Sequence, residues 1–209
     1  MIEGRQAWIT SEGRRSQDRR ARLIRIDLAS GRLQQELPLP EAWRATPGQS
    51  LGSNKGPESL TALAPGDLLL AAEAPLLQHQ AEDGISLMRR APGDALRTAG
   101  ALDVGAAGRH DGLTELLGLR RGFAPPDQWT ARLQLFALPE PQGPPLQPII
   151  GWDLLETGLP PDNWEAMALG PVLSDGRQTL VLASDDNFNP LQSSWVAVLS
   201  PSRTTACTD

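Results

Sequence analysis

The stretch Pro161–Leu169, "PDNWEAMAL", places a glutamate directly after a tryptophan and in front of an apolar run. Short apolar or alternating runs bounded by Gly, Pro, Asp and Asn are typical of β-strands separated by tight turns. A carboxylate at the start of a buried strand needs a partner, because burial of an unpaired charge is costly. Glu165 therefore raises the question of whether other strands of this chain begin in the same way.

Three further glutamates precede apolar runs at similar intervals. They are Glu3, Glu58 and Glu115. Together with Glu165 they form a series in which neighbouring glutamates are 50 to 57 residues apart. A repeat of about 40 to 55 residues with three or four short strands is typical of a β-propeller blade. The sequence therefore predicts an all-β propeller with about four recognisable blades. A second strand follows Glu3, Glu58 and Glu165 and ends in an acidic residue, at Glu12, Glu73 and Asp185, whereas after Glu115 the chain runs into Arg120 and Arg121 instead.

The rest of the chain supports the all-β prediction. The 20 glycines and 19 prolines are spread through the 209 residues and leave little room for long helices. A hairpin is expected over Leu23–Pro38, with its turn at Ser30 and Gly31. The predicted short strands are Ala7–Thr10, Arg22–Leu28, Leu68–Ala72, Arg132–Leu138, Thr179–Ala183 and Trp195–Leu199. The region from Gly122 to Thr130 is expected to be irregular.

Composition excludes several classes of function. The net charge of −6 makes general attraction to nucleic acid unfavourable. Charges interrupt every apolar run before the roughly 18 residues that a membrane helix requires, so no transmembrane segment is predicted. The chain as given opens without the pattern of a signal peptide. Cys207 is the single cysteine, so an intrachain disulfide is impossible.

Carboxylates that converge on a propeller channel repel one another unless a cation or protons neutralise them. Calcium is the expected cation, because it accepts six to eight oxygen ligands in flexible geometry. A structural latch between blades and a catalytic role are the alternatives. The candidate catalytic residues are Glu58, Glu115 and Glu165. The candidate metal ligands are Glu3, Glu12, Glu73, Asp185, Asp186 and Asn187.

The acidic stretch Asp185–Asn189 has side-chain oxygens at alternate positions, as at the start of a calcium loop. An EF-hand is excluded, because Val196 stands where the bidentate glutamate would be needed. Asx-turns, in which the side chains bond their own backbone, explain the pattern equally well.

A basic cluster stands out in this acidic protein, at Arg14, Arg15, Arg19 and Arg20. Arginine binds phosphate oxygens in a bidentate manner, so this cluster is the candidate site for a phosphoester substrate. A solvated loop between strands is the alternative.

Two motifs of hydrolytic enzymes fail on context. Gly48–Gly52 matches the pattern of a serine nucleophile elbow, but neither an apolar strand before it nor a helix after it is predicted. His79 and His110 are the two histidines, and neither stands in the order of a catalytic triad.

Several segments together resemble a known family, the "esterase-like activity of phytase" family of phytase-like propellers. The resemblance spans nearly the whole chain and is most specific from Asp162 to Phe188. The segments that carry it are Ile2–Gly4, Ile9–Gly13, Asn54–Glu58, Leu113–Leu117, Asp162–Pro171 and Leu182–Phe188. The resemblance implies a secreted or periplasmic propeller that hydrolyses a phosphoester or carboxylic ester. A small-molecule substrate is the implied partner.

The chain departs from the family pattern at both ends. Family members have further strands before the equivalent of Ile2–Gly4, and the last repeat here offers about three strands. Residues 1–209 are therefore expected to form a single domain that is a truncated, incompletely closed propeller. Ile2–Arg5 also matches a protease site used to remove tags, but its smooth continuation into the following strand favours native sequence. Two functions stay open, calcium-assisted ester hydrolysis and a non-catalytic binding or scaffold propeller.

Overall fold

The computed structural model describes residues 1–12, 20–43, 51–52, 55–64, 66–78, 84–103, 112–115, 119–124, 128–138 and 140–202. Within the third sheet, side chains are described at Leu113 and from Trp129 onward. Across these residues the chain forms fifteen β-strands and two short 3₁₀ turns, Glu41–Trp43 and Leu155–Thr157. None of the described helices has the length and apolar character that a bilayer crossing requires. The fold is therefore all-β, as predicted.

The strands form four antiparallel sheets, each made from consecutive strands. Sheet 1 contains β1 (Ile2–Glu3), β2 (Gln6–Ser11), β3 (Arg22–Asp27) and β4 (Leu33–Leu37). Sheet 2 contains β5 (Pro57–Ala64), β6 (Asp67–Ala72), β7 (Ile85–Arg90) and β8 (Arg97–Leu102). Sheet 3 contains β9 (Gly112–Glu115), β10 (Leu119–Ala124), β11 (Gln128–Leu135) and β12 (Ile150–Asp153). Sheet 4 contains β13 (Trp164–Val172), β14 (Gln178–Ser184) and β15 (Val196–Leu199).

The four predicted repeats correspond to these four sheets, and the last sheet has three described strands, as expected. The hairpin predicted around Gly31 is present as β3 and β4. Gly31 has a φ of 67°, which glycine adopts without steric cost. In the region expected to be irregular, the described residues instead pair in a ladder between β10 and β11, from Leu119 opposite Leu133 to Ala124 opposite Gln128.

Consecutive sheets pack against one another through their early strands. The second strand of each sheet contacts the first strand of the next, in the pairs β2 with β5, β6 with β9 and β10 with β13. The first strands β5, β9 and β13 also contact one another in order. This arrangement brings the first strands of the sheets together.

Two apolar cores lie between the sheets. The larger core joins sheets 1 and 2 around Trp8, Leu23 and Leu70, which are almost fully buried. The smaller core joins sheets 3 and 4 around Ala131 and Trp164. Apolar side chains of neighbouring sheets thus pack against one another. Burial of this apolar surface is the main force that holds the sheets together.

Charged side chains in and around sheets 1 and 2 form stacks and pairs. The guanidinium groups of Arg25 and Arg90 each lie 5.2 Å from the ring centroid of Trp8, a favourable cation–π geometry. Arg89 binds both carboxylate oxygens of Asp67, at 3.0 and 2.6 Å. These hydrogen bonds lower the pKa of the Asp67 carboxyl below its ordinary value.

Candidate metal centre

Three glutamates meet where sheets 1 and 2 adjoin. Glu12 directly follows β2, Glu58 is the second residue of β5, and Glu73 directly follows β6. One carboxylate oxygen from each lies within 4.8 Å of the others. We call this group the acidic triad. The sequence predicted two of its members as metal ligands and Glu58 as a catalytic residue, and the structure brings all three together.

A β-bulge directs Glu58 into the triad. Pro57 pairs with Ala72 and Ser59 pairs with Ala71, so Glu58 is an extra residue in β5. A bulge bends its strand and re-aims the side chain at that position. The neighbouring backbone is fixed by the N–H of Glu73, which donates to the carbonyl oxygen of Gly56 at 3.0 Å. Glu58 and Glu73 are therefore brought together by pairing of β5 and β6.

Glycine at position 56 allows sheet 1 to approach this point. A Cβ atom at Gly56 would lie 2.4 Å from the Cα atom and 2.8 Å from the Cβ atom of Glu12. It would also lie 2.9 Å from the carbonyl oxygen of Glu12. Most of these atoms belong to backbone that cannot rotate away. The absence of a side chain at Gly56 therefore lets Glu12 join the two glutamates of sheet 2.

A lysine contacts the triad from the loop before β5. The Nζ atom of Lys55 lies 2.5 Å from Oε1 of Glu73, whose side chain is almost fully buried. Three ionised carboxylates that lie this close together repel one another, so the triad requires counter-charge from neighbouring groups, from a cation or from protons.

The Oε2 atom of Glu12 is buried and accepts no hydrogen bond from the described residues. A buried polar atom of this kind is uncommon in folded proteins. Calcium binds oxygen at 2.3–2.6 Å, so two ligands on opposite sides of one ion lie about 5 Å apart. The three oxygens of the triad all lie within 4.8 Å of one another, which is inside this limit. The three residues could therefore hold one metal ion.

Glu165 occupies the same place in sheet 4 as Glu58 in sheet 2. It is an extra residue in a bulge, since Trp164 pairs with Ser184 and Ala166 pairs with Ala183. The N–H of Asp185 donates to the carbonyl oxygen of Asn163 at 3.0 Å, which repeats the bond between Glu73 and Gly56. Glu165 accepts a hydrogen bond from Nδ2 of Asn163 at 2.8 Å. The bulge is thus a repeated feature of the fold.

Glu3 and Glu115 lie elsewhere on their strands. Glu3 pairs with Gln6 and Glu115 pairs with Leu119, so each stands at the C-terminal end of the first strand of its sheet. Glu58 and Glu165 stand at the opposite end of that strand. The near-equal spacing in sequence therefore does not give four equivalent positions, and Glu3 is not a member of the acidic triad. The side chain of Glu115 lies outside the description.

The candidate calcium loop of sheet 4 makes Asx-turns. The Oδ1 atom of Asp185 accepts from the N–H of Asn187 at 3.1 Å, and Oδ1 of Asp186 accepts from the N–H of Phe188 at 2.9 Å. Asn187 and Phe188 both have positive φ, which the turn imposes. These carboxylates therefore stabilise a turn of their own backbone and are not part of the acidic triad.

Among the predicted substrate-binding arginines, Arg20 is exposed just before β3. Arg14, Arg15 and Arg19 lie outside the described residues, as do the two histidines and Gly48–Ser50 of the serine motif.

Three functional or supporting residues were missed from the sequence, namely Lys55, Gly56 and Asp162. Lys55 and Gly56 lie just before Pro57 and Glu58 in the "NKGPE" segment. This proximity to Glu58 is the signal that could have identified them. Asp162 is buried and accepts from the N–H of Ser193 at 3.0 Å and from Nε1 of Trp195 at 3.1 Å. It fastens the start of sheet 4 to the loop before β15.

Comparison with known proteins places the chain in a family. Neither the curated proteins nor the solved structures gave a match. The model of a phytase-like family, described as esterase-like activity of phytase, matches residues 2–188. The matched region includes sheets 1 to 3 and the strands β13 and β14 of sheet 4. It contains every member of the acidic triad. The chain therefore belongs to this phytase-like family.

Proposed function

We propose that this protein is a phytase-like β-propeller that hydrolyses a phosphoester or carboxylic ester of a small molecule with the help of calcium. The acidic triad is the observation that carries this proposal. Its three carboxylates converge between two sheets, and a buried oxygen of Glu12 accepts no hydrogen bond from the described residues. Membership of the phytase-like family supports a hydrolase-like function.

The order of the sheets supports the propeller. Each sheet is a meander of neighbouring strands, and the first strands β5, β9 and β13 contact one another in sequence. In a propeller the first strand of each blade lies at the centre. Residues 1–209 would then form one domain of four blades in an incomplete ring. A secreted or periplasmic location goes with this proposal through the family resemblance.

In this proposal Glu12 and Glu73 hold the cation and Glu58 acts as general base. A bound calcium ion would neutralise the charge of an anionic substrate and make a nearby water more acidic. Glu58 would remove a proton from that water, since a carboxylate within hydrogen-bond reach of a water can act as its general base. Lys55, whose Nζ atom contacts Glu73, would be placed to donate a hydrogen bond to an oxygen of the substrate.

The competing function is a non-catalytic binding or scaffold propeller in which the glutamates only join the blades. The bond between Lys55 and Glu73 favours it, because a lysine already offers the triad a counter-charge. The bond between Asn163 and Glu165 is a second example of a bulge glutamate held by a neighbouring side chain.

Hydrolysis assays separate the two functions. Release of phosphate from phytate and of nitrophenol from a nitrophenyl ester would be measured with calcium and with a chelator. Loss of a general base lowers the rate by about 10²–10⁴-fold, so Glu58→Gln should lose activity to this extent. Glu156→Gln, a change at an exposed glutamate on a 3₁₀ turn, is the control and should retain the wild-type rate. Equal rates for wild type and Glu58→Gln, or rates unaffected by the chelator, would favour the scaffold.

The catalytic roles of Glu115 and Glu165 stay predictions. Glu165→Gln in the same assay tests the second of them. A wild-type rate would limit Glu165 to the bulge of sheet 4, whereas a loss equal to that of Glu58→Gln would extend the catalytic set.

A further inference from the structure

Two buried hydrogen-bond donors on sheet 1 have no acceptor among the described residues. The side chain of Trp8 is almost fully buried, and its Nε1–H donates to none of them. The Nε atom of Arg25 is also buried and also donates to none of them. Trp8 pairs directly with Arg25 across β2 and β3, so the two side chains lie next to each other on one face of the sheet. Buried donors without a partner are uncommon, and an ion or a water molecule is the usual reason for one.

Positive charge is concentrated around the same tryptophan. The guanidinium groups of Arg25 on sheet 1 and of Arg90 on sheet 2 each lie 5.2 Å from the centroid of the Trp8 ring. Arg90 is 8% exposed and donates hydrogen bonds to the backbone carbonyl oxygens of Asp94 and Gly66. Carbonyl oxygens carry no net charge, so these bonds satisfy the donors of Arg90 without balancing its charge.

Other arginines on these two strands have carboxylate partners. Arg22 on β3 forms an ion pair with a glutamate, and Arg89 on β7 forms one with an aspartate. Arg25 and Arg90 form no ion pair with any residue in the described part of the chain. Buried or half-buried charges of one sign raise the free energy of the folded state unless a group of opposite charge balances them. The surroundings of Trp8 therefore favour an anion.

We propose that Trp8, Arg25 and Arg90 form a binding site for one small oxyanion of the phosphate or sulfate class between sheets 1 and 2. We call it the oxyanion site. The anion would accept hydrogen bonds from Nε of Arg25 and Nε1 of Trp8 and would balance the charge of Arg90. Guanidinium groups bind oxyanions through charge-assisted hydrogen bonds, and an indole N–H is a donor only. A water molecule can accept the same two bonds but leaves both positive charges unbalanced.

The oxyanion site is separate from the acidic triad. Trp8 lies within β2 and Glu12 directly follows that strand. A strand rises about 3.3 Å per residue, so the two residues lie about 13 Å apart along it. An anion at Trp8 would therefore join sheet 1 to sheet 2 and take no part in chemistry at the triad.

Isothermal titration calorimetry with inorganic phosphate tests the site. A chelator is present throughout, so that calcium cannot recruit phosphate to the acidic triad. The wild type should bind one phosphate per chain. Trp8→Phe removes the indole N–H but keeps an aromatic ring beside the two guanidinium groups, and Arg25→Gln removes one positive charge. Each change should weaken phosphate binding by about tenfold or more, because hydrogen bonds to charged groups are the stronger ones.

Arg97→Gln is the matched control, since Arg97 is an exposed arginine on β8 and is not part of the oxyanion site. It should bind phosphate as the wild type does. Circular dichroism checks the folding of each variant, and Arg25→Gln decides the outcome if Trp8→Phe does not fold. A wild type that binds no phosphate would overturn the proposal, as would binding that Arg25→Gln retains in full. Equal affinity for chloride would contradict a site built for an oxyanion.

Discussion

The close approach of sheet 1 to sheet 2 at the acidic triad depends most directly on Gly56. Its Cα atom stands where any side chain would collide with the backbone of Glu12. Gly56→Ala should destabilise the protein by about 1–3 kcal/mol, the usual cost of inserting a methyl group into a closely packed site. The free energy of unfolding from urea denaturation measures this effect.

Gly143→Ala is the matched control for that substitution. A Cβ atom at Gly143 would meet Glu140 at 3.6 Å, an ordinary van der Waals distance. Its effect should stay within about 0.5 kcal/mol, as for most surface changes. If the two variants unfold at the same urea concentration, the close approach of Gly56 and Glu12 is not a constraint in solution.

At the level of single residues the sequence singled out the three carboxylates that the structure brings together, but for an incomplete reason. Regular spacing singled out Glu58, and an acidic end of the second strand singled out Glu12 and Glu73. Spacing could not show which end of the strand a residue occupies, so Glu3 was grouped with Glu58 although it stands at the hairpin turn. The bulge that aims Glu58 depends on pairing between two strands, and a single strand pattern does not reveal it.

Among the elements, the loop between β14 and β15 depends on Asp162. One oxygen of this buried carboxylate accepts from the N–H of Ser193 and from Nε1 of Trp195, and the other accepts from the N–H of Asn163 at 2.8 Å. In Asp162→Asn an NH₂ group must face at least one of these donors. Loss of such a buried acceptor costs about 1–3 kcal/mol. Urea denaturation should show this loss, and amide exchange should show faster exchange at Ser193.

Asp153→Asn provides the comparison for Asp162. The Oδ1 atom of Asp153 accepts a hydrogen bond from the N–H of Leu155, and the oxygen of an asparagine can retain it. This variant should unfold close to the wild type. Unchanged exchange at Ser193 in Asp162→Asn would argue against a role of the carboxylate in fixing the loop.

The strands themselves were largely predictable, because apolar alternation and turn residues mark them locally. β6, β14 and β15 match the predicted segments to within one or two residues. The ladder of β10 and β11 was not predicted. β10 contains two arginines and a glycine, and it lacks a regular alternation of apolar and polar residues. Backbone pairing such as Phe123 opposite Trp129 compensates for the weak pattern, and that pairing appears only in the folded chain.

For the whole molecule, the number of sheets and their order follow from the repeat in the sequence. The convergence of three glutamates from two sheets could not be read from the repeat alone, because it requires the contact between β2 and β5. The central claim is that the acidic triad formed by this contact binds calcium.

Thermal unfolding with calcium and with a chelator tests this claim most directly. A ligand at 100 times its Kd stabilises the folded state by about 2.7 kcal/mol. For a chain of this size calcium should raise the wild-type midpoint by roughly 5 to 10 °C. Glu12→Gln should lose most of that rise, while Glu156→Gln should keep it. A wild-type midpoint that is the same with calcium and with chelator would contradict the metal centre and the hydrolytic mechanism built on it.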